Sequence, residues 1–176
     1  MATLAADPAW SHALARTIVP IAREHIEGFH AALDEIAREG RYLALLEAPS
    51  LAQTRRFVLD SMRNGAVHLV ALVDQQVVGW CDLRPKTAAT QRHSAVLGMG
   101  IVAPFRRQNL GTALLDAALR SARERGLRRV ELVVRADNQG AIALYRRFGF
   151  ATEGVLHGYL CVEGVDQDAL LMARFA

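Results

Sequence analysis

One stretch constrains this chain more than any other: Val102-Ala103-Pro104-Phe105-Arg106-Arg107-Gln108-Asn109-Leu110-Gly111-Thr112. The apolar run Ser94–Val102 precedes it and reads as a strand that Pro104 stops. Leu110, Ala113, Leu114, Ala117 and Ser121 follow at helical spacing and trace one face of a helix that Gly126 closes. A strand that turns sharply into a helix aims unpaired backbone N–H groups and the positive end of the helix dipole at one point. Gly111 lets backbone approach a ligand closely, and Arg106 and Arg107 add guanidinium donors. The stretch therefore reads as a phosphate or pyrophosphate cradle.

Two other phosphate motifs can be set aside. The pattern G-x-x-x-x-G-K-[ST] is absent, and Lys86 is the one lysine in the chain. Gly98-x-Gly100-x-x-Ala103 matches the loose dinucleotide fingerprint, but both glycines fall inside a strand run and Pro104 precedes any helix.

The remaining chain alternates between the two periodicities. Arg16–Ile21 reads as a strand. Ile26, Phe29, Leu33 and Ile36 mark a helix ended by Gly40, and Arg41–Glu47 is irregular. Ser50 and Gln53 have capping-box spacing ahead of a second helix with Leu51, Thr54, Val58 and Met62 on one face, ended at Asn64-Gly65. Ala66–Val73 and Val77–Leu83 form a hairpin around Asp74-Gln75-Gln76, and a polar loop follows from Pro85 to Arg92. Arg129–Val134 is a strand. Asp137-Asn138 caps a short helix from Gln139 to about Phe148, with Gly149 after it. Phe150–Cys161 and Val165–Phe175 are strands joined at Glu163-Gly164. The order β-α-α-β-β-β-α-β-α-β-β predicts an α/β fold with a mixed sheet of about seven strands and helices on both faces. At 176 residues this is one domain, taken as 16–176, with the Ala-rich residues 1–15 as an N-terminal extension.

Composition narrows the partners. A net charge of +3 with dispersed arginines does not call for nucleic acid. No run reaches the ~20 apolar residues that cross a bilayer. The start lacks a basic and apolar secretory signal, and Cys81 and Cys161 form no disulfide framework, so a reducing cytoplasm is expected. The six histidines are scattered, and His25 and His30 do not share a helical face, so no metal is expected.

A second stretch, Asn138-Gln139-Gly140-Ala141-Ile142-Ala143-Leu144-Tyr145-Arg146-Arg147-Phe148-Gly149-Phe150, completes the pattern. The turn R-x-x-x-x-G between strand and helix, then Asn-x-x-Ala-x-x-x-Tyr-x-x-x-Gly-Phe, resembles the GNAT superfamily of acetyl-CoA-dependent N-acetyltransferases. The resemblance spans Arg16 to Phe175, and the end of the chain is similar to the amino-acid, ribosomal-protein and polyamine acetyltransferases. It implies that acetyl-CoA is the cosubstrate. Its pantetheine arm would pair with backbone at Ile101 and Val102, and its pyrophosphate would sit on Arg106, Arg107, Gln108, Asn109, Leu110, Gly111 and Thr112. Asn138 would lie near the pantetheine or the acetyl end, and Tyr145 would be the acid that protonates the departing thiolate. The family turn is usually [RQ]-x-x-G-x-[GA]; here Asn109 replaces the first glycine, a residue that tolerates the left-handed region.

Many relatives place a carboxylate on the strand before the turn, but Val96–Ile101 contains no acid. Water-relayed deprotonation through His93, Asp82 or Glu131 is the expectation. Tyr42, Glu39, Glu47, Trp80, Asp82, His157 and Tyr159 are the candidate acceptor lining, for a small-molecule or peptide amine. Exposed strand edges are compatible with a homodimer, which is common in the family that the chain resembles. A second reading, from another class, is an acetyl-CoA-binding sensor of the same fold without transferase activity.

Overall fold

The computed structural model describes residues 16–175; the expectation for residues 1–15 lies outside them. The elements are β1 (Arg16–Pro20), α1 (Ile26–Arg38), α2 (Leu51–Arg63), β2 (Val67–Val73), β3 (Gln76–Pro85), β4 (Ser94–Ile101), α3 (Leu110–Glu124), β5 (Arg129–Arg135), α4 (Gln139–Arg147), β6 (Ala151–Val162) and β7 (Val165–Phe175). This is the order the sequence predicts. The strands form one sheet in the order β1-β2-β3-β4-β5-β7-β6. Every pairing is antiparallel except β4 with β5.

Local chemistry accounts for the boundaries. Ser50 Oγ accepts from the Gln53 amide, and Gln53 Oε1 accepts from the Ser50 amide at 3.0 Å, which closes the expected capping box on α2. Ser50→Ala should cost about 1 kcal/mol, read as a lower urea midpoint at unchanged slope. The hairpin turn is Asp74-Gln75, both left-handed at φ 47° and 66°, as a two-residue turn between twisted strands requires. Gln76 already belongs to β3.

The two faces of the sheet are covered differently. Trp80 and Gly100 share one face, where the Trp80 ring packs edge-on to Phe29 of α1 at 5.4 Å. His68 on this face packs against Phe29 and against Phe57 of α2. The opposite face carries Cys81 and Met99 beneath α3 and α4. Buried aliphatic side chains, Ile36, Val58 and Val70 among them on the first face and Leu83, Leu114 and Ile142 on the second, fill both layers.

The parallel junction positions the site. β4 and β5 pair only through Ser94–Val96 with Arg129–Glu131. From Leu97 and Leu132 onward the two strands are unpaired with each other, while each keeps its other neighbour. A gap therefore opens in the middle of the sheet toward the C-terminal end of β4.

Candidate active site

Backbone parity decides what β4 offers to the gap. The Val102 amide donates to the Val78 carbonyl at 3.0 Å, and the Lys86 amide to the Ser94 carbonyl at 2.9 Å. In an antiparallel pair the hydrogen-bonded residues alternate. Gly98 and Gly100 therefore turn their polar groups toward β3, while Leu97, Met99 and Ile101 turn theirs toward the gap. This corrects the expectation for Val102: its amide is held by Val78 and its carbonyl accepts from Phe105. Ile101 keeps its place on the open edge, and Met99 and Leu97 join it. A period-two reading from Val102 could have found them, had its partner been known.

Arg106 also needs correction. Its Nε donates to the Ile101 carbonyl at 2.7 Å, its terminal nitrogens bind both oxygens of Glu39, and its guanidinium lies 4.6 Å from the centre of the Tyr42 ring. Its amide donates to Ala103. Arg106 is therefore a strut that ties the end of β4 to the C-terminus of α1 and the segment after it. Hydrogen bonding to Glu39 raises its already high pKa further. Glu39 and Tyr42, two of the expected acceptor contacts, are held in the same strut.

The turn that follows leaves a run of backbone amides unpaired. Arg107 and Asn109 are left-handed at φ 61° and 64°, so Asn109 adopts the conformation a glycine would have supplied. Gln108 is braced on both sides: its Oε1 accepts from Arg16 at 2.6 Å and its Nε2 donates to the Pro104 carbonyl at 2.8 Å. Among the described residues, the backbone amides of Arg107, Gln108, Asn109, Leu110, Gly111 and Thr112 donate to nothing, whereas Ala113 begins the helical pattern by donating to Asn109. Consecutive unpaired amides at a helix N-terminus form an anion-binding concavity. Gly111 serves it indirectly. A Cβ there would stand 3.1 Å from Met99 Cε and 3.4 Å from Ile101 Cδ1 and Leu144 Cδ2, so the missing side chain lets the start of α3 sit close to β4 and α4.

Arg147 is the residue that sequence reading missed. It extends from α4 and donates to the Thr112 hydroxyl in the first turn of α3, which sets a guanidinium beside the open amides. It lies within the second motif, but only the tertiary fold reveals its direction.

Tyr145 is buried on α4, with its ring 5.7 Å from that of Phe150. Burial, then the neighbouring Cys81 thiol, raises its phenol above the usual range, so it stays protonated. Cys81 is paired with Met99, which puts Tyr145 level with the open edge of β4. Asn138 Oδ1 caps α4 by accepting from the Ala141 amide at 3.2 Å.

The other expected residues scatter. Trp80 is a core side chain, 3% exposed, whose ring fills the space over Gly100; it is not a pocket wall. Glu131 is held by Lys86 at 2.5 Å and Arg129 at 3.2 Å, and the His93 carbonyl accepts from the Arg128 and Arg129 amides. Both belong to the end where β4 and β5 are closed. Glu47 is exposed near Arg38. His157 pairs with Asp168 at 3.0 Å beside Tyr159, which is half exposed in the part of β6 where the register with β7 breaks. Asp82 is buried and faces Gly98.

An open strand edge that leads into a cradle of free amides suits a long ligand with phosphate at one end. The profile of the acetyltransferase (GNAT) family matches residues 26–150, and the chain belongs to that family, whose members are acyltransferases. The chain is 32% identical over 127 residues to an N-alpha-acetyltransferase of Saccharolobus solfataricus, covering 67% of this chain and 74% of that protein. It is also 32% identical over 114 residues to an L-amino acid N-acetyltransferase of Escherichia coli, covering 64% and 70%. In fold it is similar to a ribosomal-protein-alanine N-acetyltransferase from Brucella melitensis, with a TM-score of 0.86 at 24% identity over 91% of this chain and 99% of that one. A phosphinothricin acetyltransferase from Sinorhizobium meliloti, solved in complex with acetyl-CoA, gives a TM-score of 0.86 at 20% identity over 91% and 88%.

Proposed function

We propose that this N-acetyltransferase moves an acetyl group from acetyl-CoA to the primary amine of a small amine, an amino acid or a peptide N-terminus, by direct attack. The observation that carries this reading is the continuity of the open β4 edge with the free amides from Arg107 to Thr112. The pyrophosphate of acetyl-CoA would rest on those amides, with Arg107 and Arg147 supplying positive charge. The amide-like pantetheine arm would exchange hydrogen bonds with Met99 and accept one from the Ile101 amide, whose carbonyl Arg106 already holds, as a short added strand. The relatives named above, which act on amino groups, support the acceptor class.

In the reaction the amine lone pair attacks the thioester carbonyl carbon and the carbonyl oxygen takes up negative charge. A gap-facing amide of β4 is the donor available to that oxyanion. The carbon–sulfur bond then breaks, and Tyr145 gives its proton to the sulfur. A phenol of reference pKa ~10 and a thiol of ~8.5 are not far apart, and burial raises the proton affinity of both anions together. Thiol release from acetyl-CoA, measured across amino acids, polyamines, peptides with free N-termini, and amine-bearing antibiotics and herbicides, tests the reading. Release with one amine class and recovery of its acetamide is the expected result. Saturable acetyl-CoA binding without release for every amine would overturn it.

A further inference from the structure

The face of β4 opposite Tyr145 carries no side chain at two successive positions, Gly98 and Gly100. Two β3 side chains lie across the bare backbone. The Trp80 ring covers Gly100, and the Asp82 carboxylate covers Gly98, with Oδ1 2.6 Å from where a Cβ of Gly98 would stand. Asp82 is 6% exposed, and its Oδ2 is buried with no hydrogen-bond partner. A buried carboxylate short of donors is costly; this one lays Oδ1 across the side-chain-free strand while Oδ2 turns beside Arg84 at 3.4 Å. Strands stand about 4.8 Å apart, so a carboxylate lying over β4 is one strand spacing from the gap beyond it. The pair Asp82–Gly98 is adjacent to Cys81–Met99, the level of Tyr145, and projects to the opposite face.

Building on the transferase reading above, we infer that Asp82, laid across Gly98 from the neighbouring strand, is the group that receives the proton of the acceptor amine. It supplies from β3 the carboxylate that β4 lacks. The amine nitrogen forms its bond to the acetyl carbon and becomes an ammonium. One N–H bond breaks, its electron pair stays on nitrogen, and the proton passes to Asp82 Oδ1, the oxygen laid over Gly98. The oxyanion re-forms the carbonyl as the carbon–sulfur bond breaks, and the sulfur takes the Tyr145 proton. Asp82 then releases its proton to solvent, and the Tyr145 phenolate takes one back.

The charged and titratable groups around Asp82 are few. Arg84, on its own strand, stands 3.4 Å from Oδ2 without hydrogen-bond geometry. His68 is its register partner on β2, and burial pulls that imidazole down to about 4, so it is neutral where the enzyme works. β4 contributes Gly98, while α1 and α2 present Phe29 and Phe57 to the histidine. Burial pushes Asp82 up to about 6 against the pull of Arg84 and of the neighbouring Trp80 indole. The carboxylate that accepts the proton is therefore populated above pH ~6, and kcat/KM should rise with pH through that value.

The test compares wild type with Asp82→Asn and Gly98→Ala, using the amine found by thiol release. Asp82→Asn should lower kcat by about 10–100-fold, leave the Kd of acetyl-CoA unchanged and erase the limb near pH 6. It should also be at least as thermostable as wild type at pH 8, because it removes a desolvated carboxylate whose raised pKa the exposed Arg84 offsets in part. Gly98→Ala, whose methyl displaces the carboxylate, should lower kcat in the same direction. An Asp82→Asn enzyme with wild-type kcat and an intact limb overturns the assignment and leaves the transferase reading standing. A wild-type enzyme that releases thiol with no amine overturns both.

Discussion

Replacing Tyr145 with phenylalanine should lower turnover by about 10²–10⁴-fold while leaving the affinity for acetyl-CoA within a factor of about two. The variant keeps the ring that packs beside Phe150 and removes only a hydroxyl that donates to nothing among the described residues. The fold should hold, since removing a hydroxyl that bonds to no described residue strands no partner. The loss should fall on kcat, because the proton is needed only as the carbon–sulfur bond breaks. Steady-state kinetics with a separate acetyl-CoA titration checks this, and unchanged turnover would remove Tyr145 as the acid.

Thr112→Glu should separate cosubstrate binding from stability. Position 112 is the third residue of α3, where a carboxylate favours the helix dipole and can pair with Arg147. Thermal stability should hold or rise. The same carboxylate would stand at the free amides, against the charges of a pyrophosphate. At about 5 Å and an effective dielectric of about 40, each charge pair costs roughly 1.7 kcal/mol; two such pairs weaken acetyl-CoA binding by on the order of 10²-fold. Calorimetry with a melting curve reads both quantities. Gly111→Glu is the contrasting variant: its side chain would point at Met99, Ile101 and Leu144, so it should lose both stability and binding.

What the sequence made legible was local. The turn at Arg107–Thr112 and the capped helix carrying Tyr145 depend on residues close in the chain, and so do the helix boundaries. Asn109 in the left-handed region follows from its own side chain. What stayed hidden depended on partners distant in sequence. Val102 looks like Ile101 until Val78 is known to hold its amide. Arg106 looks like a phosphate ligand until Glu39, 67 residues away, is placed beside it. Trp80 and Asp82 both suggested a pocket, and only the bare positions Gly98 and Gly100 explain why one fills core and the other overlies the strand beside the gap.

The open edge of β4 and the turn that follows it are the proposed seat of acetyl-CoA. Amide NMR during titration with acetyl-CoA tests it most directly. Saturable shifts are expected at the amides of Met99, Ile101 and Arg107 through Thr112, with Val102 little changed because Val78 already holds it. Saturable binding that leaves the amides of Arg107–Thr112 unmoved and shifts another surface would contradict it.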